Sequence, residues 1–548
     1  MMRFDRDTAV NLCLAVVGGL LLRWSFSLHP VWWLAWVAPA PLLVAALRST
    51  HWTARAWALL AGLIGASAKL HYLTLTVPLA AALLVTVLLA LLWMAVVSLT
   101  RRVMTASASP WTVLAYPLLW CAFDTLLAHL HPDGNFDSLA YSQAGFAPAL
   151  QIVSLLGVAG LVFVLSLFPA TLALAVVRGW RAARWPFVCS VLMMLGCLGF
   201  GYARMPAAPS PQGTLVGMAA IDDFIGPRVP AAEVERIWAQ YERHVGALAG
   251  QGARIVLLPE KIAVLAPDAA AMLRQRMAKL AARAGVWLSV GVGIDDGGKT
   301  NHLWLFAPDG RLAADYLKHH LAPPEREFAA GSGFEVQAID GTRYGLAICK
   351  DAHFAAMGRA YAGLGAQALL VPAWDFGEDG EYAARLSAVR SVETGTPMLR
   401  AAREGLLTIS DGYGRVVAEK VSAPMPGVTL LGSVPVPVSS PTLYSCTGDV
   451  FGWLCTVAAV LMLALGYRRH GGHGVPTKTP GPPHKQNSTN TTAVRGGMLN
   501  DPAAGSNTAW PARLSATCGD RNTGCRRIAL PTACESVTVW PTLSTLMK

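Results

Sequence analysis

Apolar runs long enough to cross a bilayer recur through the first two hundred or so residues, and one more follows the globular middle of the chain. A membrane helix needs about 20 such residues. Eight candidates lie at 8–25, 31–47, 55–73, 76–99, 110–130, 148–178, 184–203 and 450–467. In hydrocarbon each backbone N–H and C=O must be paired inside the segment, so helices are what these runs can form. The third run is the weakest, because Lys69 and His71 stand at its end. The first is followed at once by further spans, which separates it from a cleaved signal peptide.

The cations decide the orientation. Arg3 and Arg6 precede the first run, Arg48 and Arg55 lie between the second and third, and Arg101 and Arg102 follow the fourth. Arg178, Arg181 and Arg184 separate the sixth from the seventh, and Arg468 and Arg469 close the eighth. With eight spans all of these fall on one side. The opposite loops are poor in cations, and one of them, "HPDGNFDS", carries Asp133 and Asp137. Cytoplasmic loops collect Lys and Arg. Both termini are therefore expected in the cytoplasm, with the segment between spans seven and eight outside.

Composition agrees with a membrane protein that carries a globular domain. Charged residues make up 14% of the 548, against about 25% in soluble domains, and the deficit sits in the apolar runs. The net charge of +11 is scattered or sits beside those runs, with no basic stripe interleaved with aromatics, so nucleic acid is not an expected partner. The ten cysteines include no CxxC pair and no His at zinc spacing, and no metal site or cofactor is expected. The division that follows is a seven-span domain at 1–205, an extracytoplasmic globular domain at 213–438, an eighth helix at 450–467 and a tail at 470–548. The tail is rich in Gly, Pro, Ser and Thr, too polar to offset its ordering entropy, and is read as disordered and cytoplasmic.

The middle domain alternates short buried strands with amphipathic helices. "ARIVLLPE", "VWLSVGVGID", "YGLAICKD" and "AQALLVPAWDF" read as strands, and "AAEVERIWAQYERHVGALAG", "AAAMLRQRMAKLAARAG" and "GEYAARLSAVRSVETG" as helices. That pattern is an α/β layered domain, with chemistry expected at strand ends. "GVGIDDGG" has a G-x-G with no helix after it, so a dinucleotide site is rejected.

Three strand ends then stand together. "IVLLPEK" closes on Glu260, "DYLKHHLAPPEREF" places Lys318 ahead of Glu325 and Glu327, and "LAICKD" ends on Cys349. Alone, Cys349 would be a small core side chain, and a lone Glu or Lys would be solvated. Together they are a carboxylate that can take a thiol proton and an ammonium that can hold an oxyanion. The third is a thiol that can attack a carbonyl. The backbone N–H of Lys350 is expected to face the same oxyanion. Trp374 and Phe376, after "LLVPAWDF", are candidates for an apolar mouth, and ordinary core packing explains them equally well.

The segments "LLPE", "YLKHHL" and "ICKDAHF" resemble the Glu, Lys and Cys segments of the nitrilase, or carbon–nitrogen hydrolase, superfamily. "SVETGTPMLRAAREGLLTISDGYGRV" resembles the part that follows the nucleophile there. "DGNFDSLAYSQAGFAPALQIVSLLGVAGLVFVLSL" is similar to the matching stretch of the apolipoprotein N-acyltransferase family, which likewise sets a nitrilase-like domain between its seventh and eighth spans. The resemblance runs from about residue 9 to 467. It implies a multi-pass helical membrane domain joined to an α-β-β-α sandwich, with Glu260 as general base, Lys318 as oxyanion stabiliser and Cys349 as acyl-accepting nucleophile. A second glutamate beside the lysine is implied as well, taken as Glu325, with Glu327 as the alternative register.

The implied activity takes an acyl chain from a membrane phospholipid and passes it to the N-terminal diacylglyceryl-cysteine amine of an apolipoprotein. This chain departs from the family at Lys350-Asp351, where Tyr-Glu is usual, and at "GTLVGMAAIDDF", which lacks a Gln-x-Asn element. Those departures keep a rival open, a membrane-tethered amidase in which water replaces the amine.

Overall fold

Each apolar run of the sequence is helical in the computed structural model, which describes residues 6–206, 213–226, 228–435 and 441–471. Among the described residues, six helices have the length and hydropathy to cross a membrane: Arg6–Ser25, His51–Thr76, Leu79–Thr105, Pro110–Leu130, Val153–Arg178 and Trp180–Arg204. Trp32–Arg48 and Val450–Leu465 are shorter apolar helices. The first of these opens with a single 3₁₀ segment, Trp32–Trp36, and becomes α-helical at Pro39, where proline's fixed φ and missing N–H suit a helix start. Only Gly179, at φ +81°, separates Arg178 from the next helix, so Arg181 and Arg184 belong to that helix and not to a loop. The proposed tail beyond Gly471 lies outside the described residues.

Lys69, the residue that weakens the third run in sequence, is buried without being unpaired. Its Nζ donates to Asp137 Oδ1 at 2.6 Å, to Tyr382 Oη at 3.0 Å and to the Phe136 carbonyl at 3.2 Å. An ionisable group at membrane depth persists when it faces the protein interior and finds such partners. The helix accordingly passes through a 3₁₀ turn, Ser67–Lys69, and resumes as Leu70–Thr76.

Two stacked sheets build the middle of the chain. The eight-stranded sheet runs in the order Val428–Pro435, Gly213–Ala220, Ile255–Leu257, Trp287–Asp295, Lys299–Phe306 and Leu312–Leu317, with Val264–Leu265 and Phe328–Ala329 paired to its side. The six-stranded sheet runs Val416–Val421, Leu406–Ser410, Met398–Arg403, Ala368–Trp374, Thr342–Leu346 and Val336–Ile339. Val216, Met218, Ile255, Leu257, Leu303 and Leu305 of the first face Tyr344, Leu346, Leu370, Leu399, Leu407 and Ile409 of the second in one core. Side chains alternate along a strand, so the other faces need cover of their own.

The two outer layers are covered differently. Helices Ala231–Gly250 and Pro267–Ala284 lay Trp238, Tyr241, Leu248, Leu273, Met277 and Leu280 on Val256, Leu288, Val290, Trp304 and Phe306, and turn their charged faces outward, as amphipathic helices do. Helix Gly380–Thr394 is buried over most of its length. Its Tyr382, Leu386, Val389 and Val392 belong to the same core as the membrane helices. The α-β-β-α sandwich is therefore closed on one side by solvent-facing helices and on the other by a helix shared with the membrane domain. Both parts lie within one compact unit, Met1–Pro476.

Candidate active site

Three strands deliver three side chains to one place. The strand Ile255–Leu257 runs through Leu258 and Pro259 to Glu260, and Leu312–Leu317 ends on Lys318; both side chains are 1% exposed. Lys318 Nζ lies 2.7 Å from Glu260 Oε1 and 2.6 Å from Glu325 Oε2. Asn301, buried in the strand Lys299–Phe306, donates from Nδ2 to Glu260 Oε1 at 2.6 Å and to Glu325 Oε1 at 3.0 Å. Lys261 pairs with Glu325 Oε1 from the other side. Two carboxylates and two ammonium groups thus alternate. Asn301 and Lys318 both bond Glu260 through Oε1. Glu327 is exposed and pairs with Lys299 at 2.6 Å, outside this cluster.

Cys349 follows the strand Thr342–Leu346 and opens the 3₁₀ turn Cys349–His353. Its φ is +45°, a left-handed conformation that persists for a residue with a Cβ only when its surroundings over-determine it. Asp351 supplies much of that restraint. Its carboxylate is fully buried and accepts from Ile348 N at 3.0 Å, His320 N at 2.7 Å and Tyr316 Oη at 2.8 Å. It thereby pins the Cys349 turn to the loop that carries Lys318. The thiol lies 3.6 Å from the Trp374 carbonyl.

Burial pushes the Cys349 thiol well above the ordinary thiol range, and the Glu260 charge adds to this, with Lys318 and Arg400 opposing them. A thiol raised in this way would need a base to take its proton before it could attack a carbonyl. Burial works against the Lys318 ammonium, but Glu260, Cys349 and Glu325 together outweigh it and hold the lysine charged. Burial likewise raises Glu325, and the Coulombic pull of Lys318 and Lys261 overrides it, bringing that carboxyl to about 2. The group is a charged platform with one thiol beside it. It can move a proton and stabilise an oxyanion.

Both halves of the chain match known families. The family model described as "Apolipoprotein N-acyltransferase N-terminal domain" matches residues 18–171, and the one described as "Carbon-nitrogen hydrolase" matches residues 215–421. An apolipoprotein N-acyltransferase of Geobacter metallireducens is 27% identical over 86% of this chain and 98% of its own. One of Gloeobacter violaceus is 28% identical over 86% of this chain and 96% of its own. The chain belongs to the apolipoprotein N-acyltransferase family. An omega-amidase of Homo sapiens is 33% identical over a shorter stretch, 23% of this chain and 52% of its own.

Among the other sequence candidates, this family member separates Trp374 from Phe376. Trp374 is wedged inside the catalytic domain. The Arg403 guanidinium lies 3.6 Å from its ring centroid, Lys261 Nζ 5.0 Å, and its indole N–H donates to Glu404 at 3.0 Å. Phe376 faces the membrane domain and meets Tyr72, of the helix His51–Thr76, edge-on at 6.3 Å. Tyr72 in turn stacks on Phe136 at 5.7 Å. The Lys350 side chain turns to Asp133 and to the Leu321 carbonyl, 2.8 Å away. Sequence reasoning missed Asn301, Lys261 and Asp351. An asparagine two positions before the apolar run of its strand, as in "KTNHLWLF", was the available signal for the first.

Proposed function

We propose that this chain transfers a fatty acyl group from a membrane phospholipid, through a thioester on Cys349, to the N-terminal diacylglyceryl-cysteine amine of apolipoproteins. The observation that carries the reading is the buried Glu260–Lys318–Glu325 cluster beside Cys349, in a chain whose two halves both match acyltransferase relatives. Glu260 takes the thiol proton as Sγ bonds to the ester carbonyl carbon, and the oxyanion faces Lys318 Nζ. The ester C–O bond breaks, the lysophospholipid leaves with the proton held by Glu260, and the thioester remains. The acceptor amine then attacks it and gives a proton to Glu260. The C–S bond breaks, and Glu260 returns that proton to Cys349.

The aromatic contacts among Tyr72, Phe136 and Phe376, just beyond the strand that ends on Trp374, support a donor route from the membrane side. The distribution of arginines supports a catalytic domain on the extracytoplasmic face with both termini in the cytoplasm. Incubation of the purified protein with phospholipid, followed by intact mass measurement, tests the first half-reaction; an acyl adduct on Cys349 that disappears on adding a diacylglyceryl peptide is the expected result. Ammonia released from small amides, with no acyl adduct from any phospholipid, would replace this reading by an amidase.

A further inference from the structure

The turn that carries the nucleophile is braced from two directions, and only one brace belongs to the catalytic domain. Inside, Asp351 holds it as described. Outside stands Asp133, in the segment between the helices Pro110–Leu130 and Val153–Arg178 of the membrane domain. One carboxylate oxygen of Asp133 pairs with Lys350 Nζ, and the other accepts from Arg326 at 2.9 Å. Lys350 is the residue directly after Cys349, and its side chain is largely buried. The neighbour of Asp133 reinforces the contact. Gly134 has φ +68°, and a Cβ there would meet the Phe354 ring at 3.1 Å. Phe354 ends the nucleophile's turn and stacks on His320 at 3.6 Å between centroids. Lys350 therefore joins the membrane-domain loop, the nucleophile's turn and, through Leu321, the loop after Lys318.

We propose that Asp133 is a positioning residue for acyl transfer: its ion pair with Lys350 sets the place of the Cys349 turn relative to Lys318 and to the membrane domain. Cys349 stands in a left-handed conformation that needs external support. A reacting atom displaced by ~1 Å loses on the order of 10²-fold in rate. Asp133 touches no reacting atom; it acts through Lys350. The sequence hides this relation, because the two residues lie 217 positions apart, in different domains, and each by itself reads as a solvated charge.

The inference rests on Cys349 as the acyl-accepting nucleophile, and the test separates the two. Single-turnover acylation of Cys349 by phospholipid is followed by intact mass in the parent, Asp133→Asn, Lys350→Met and the double variant. If the parent itself acquires no acyl group, the functional reading fails. If the parent acylates, each single variant is expected to lower the acylation rate constant ten- to a hundredfold. The donor concentration for half-saturation should stay within twofold, and the double variant should be no slower than the slower single one. Rate constants within twofold of the parent overturn the proposal. So does a double variant whose loss is the product of the single losses, or a change confined to half-saturation. Asp133→Glu keeps the charge on a longer stem, and a rate between the parent and Asp133→Asn is expected of it. Should Asp133→Asn fail to fold, Lys350→Met and Asp133→Glu give the reading, and full parental rate in both overturns it.

Discussion

Glu325 and Glu393 are both buried and both paired with a cation, yet their surroundings move them in opposite directions. Glu325, at the site, has two ammonium groups and the Asn301 amide around it, and is brought to about 2. Glu393 belongs to the seam between the catalytic and membrane parts. It pairs through Oε2 with Arg390 at 2.6 Å, and its Oε1 has no hydrogen-bond partner. Burial raises it, Arg390 only partly offsets this, and Asp449 adds to the rise, so it comes to about 7. Arg390 also reaches Tyr141 Oη, in the 3₁₀ segment Leu139–Gly145, at 2.5 Å. The site spends two cations on one carboxylate and keeps it ionised; the seam leaves half a carboxylate unanswered and so holds a proton near neutrality. Ion pairs that look alike by distance therefore do different work.

The comparison breaks most visibly in activity. Cys349→Ser removes the thiol and Glu260→Gln removes the proposed base, and loss of a general base lowers rate by ~10²- to 10⁴-fold. Both variants are expected to show no acyl adduct on the timescale of the parent; Cys349→Ser should melt at the parental temperature, whereas Glu260→Gln takes one charge from a buried pair and should melt lower. An adduct formed at the parental rate by either one would contradict its assigned role. At the seam the order reverses. Arg390→Met strands Glu393, and breaking a buried pair from one side destabilises by ~3–5 kcal/mol. Denaturation in detergent should register that loss, while acylation per folded molecule stays within a few-fold.

A smaller effect is the pH dependence, which should differ in sign between the two carboxylates. Glu325 is depressed from its ordinary 4.5, so its contribution to stability is present above about 4.5 and is lost as pH falls through about 2. Glu393 is raised from 4.5, so its contribution is full below about 4.5 and is lost as pH rises through about 7. Melting temperatures measured from pH 3 to pH 8 should show Glu393→Gln flattening the upper part of the profile and Glu325→Gln the lower part. Profiles parallel to the parent would remove the distinction. Smallest of all is Glu327→Gln. Its pair with Lys299 is 62% exposed on the glutamate side, and surface changes of this kind fall within about 0.5 kcal/mol.

Much of the fold was legible because apolar runs have one reading in a membrane, and because helices such as Ala231–Gly250 show a clean apolar stripe. Glu260, Lys318 and Cys349 were legible for a related reason: each closes an apolar run, where a polar side chain is conspicuous. Lys69 was misleading in isolation, since its partners Asp137 and Tyr382 are 68 and 313 positions away. Lys261 and Asp351 follow conspicuous residues and read as solvated charges until the fold closes over them. The split between Trp374 and Phe376 was beyond sequence. Alternation puts both on the same side of the chain, and only the strand's end at Trp374 lets Phe376 turn toward the membrane helices.

The helix Gly380–Thr394 has a consequence for anyone who would work on the catalytic half alone. A fragment cut at the ends of the sandwich would keep every residue of the Glu260–Lys318–Cys349 group and still bare Tyr382, Leu386, Val389 and Val392 to water, together with the Arg390–Glu393 pair. Exposed apolar patches of this kind drive association. Such a fragment is expected to clump or to need detergent although it contains no spanning helix. Assays and inhibitor screens for this enzyme are therefore best run on the intact chain in micelles or nanodiscs.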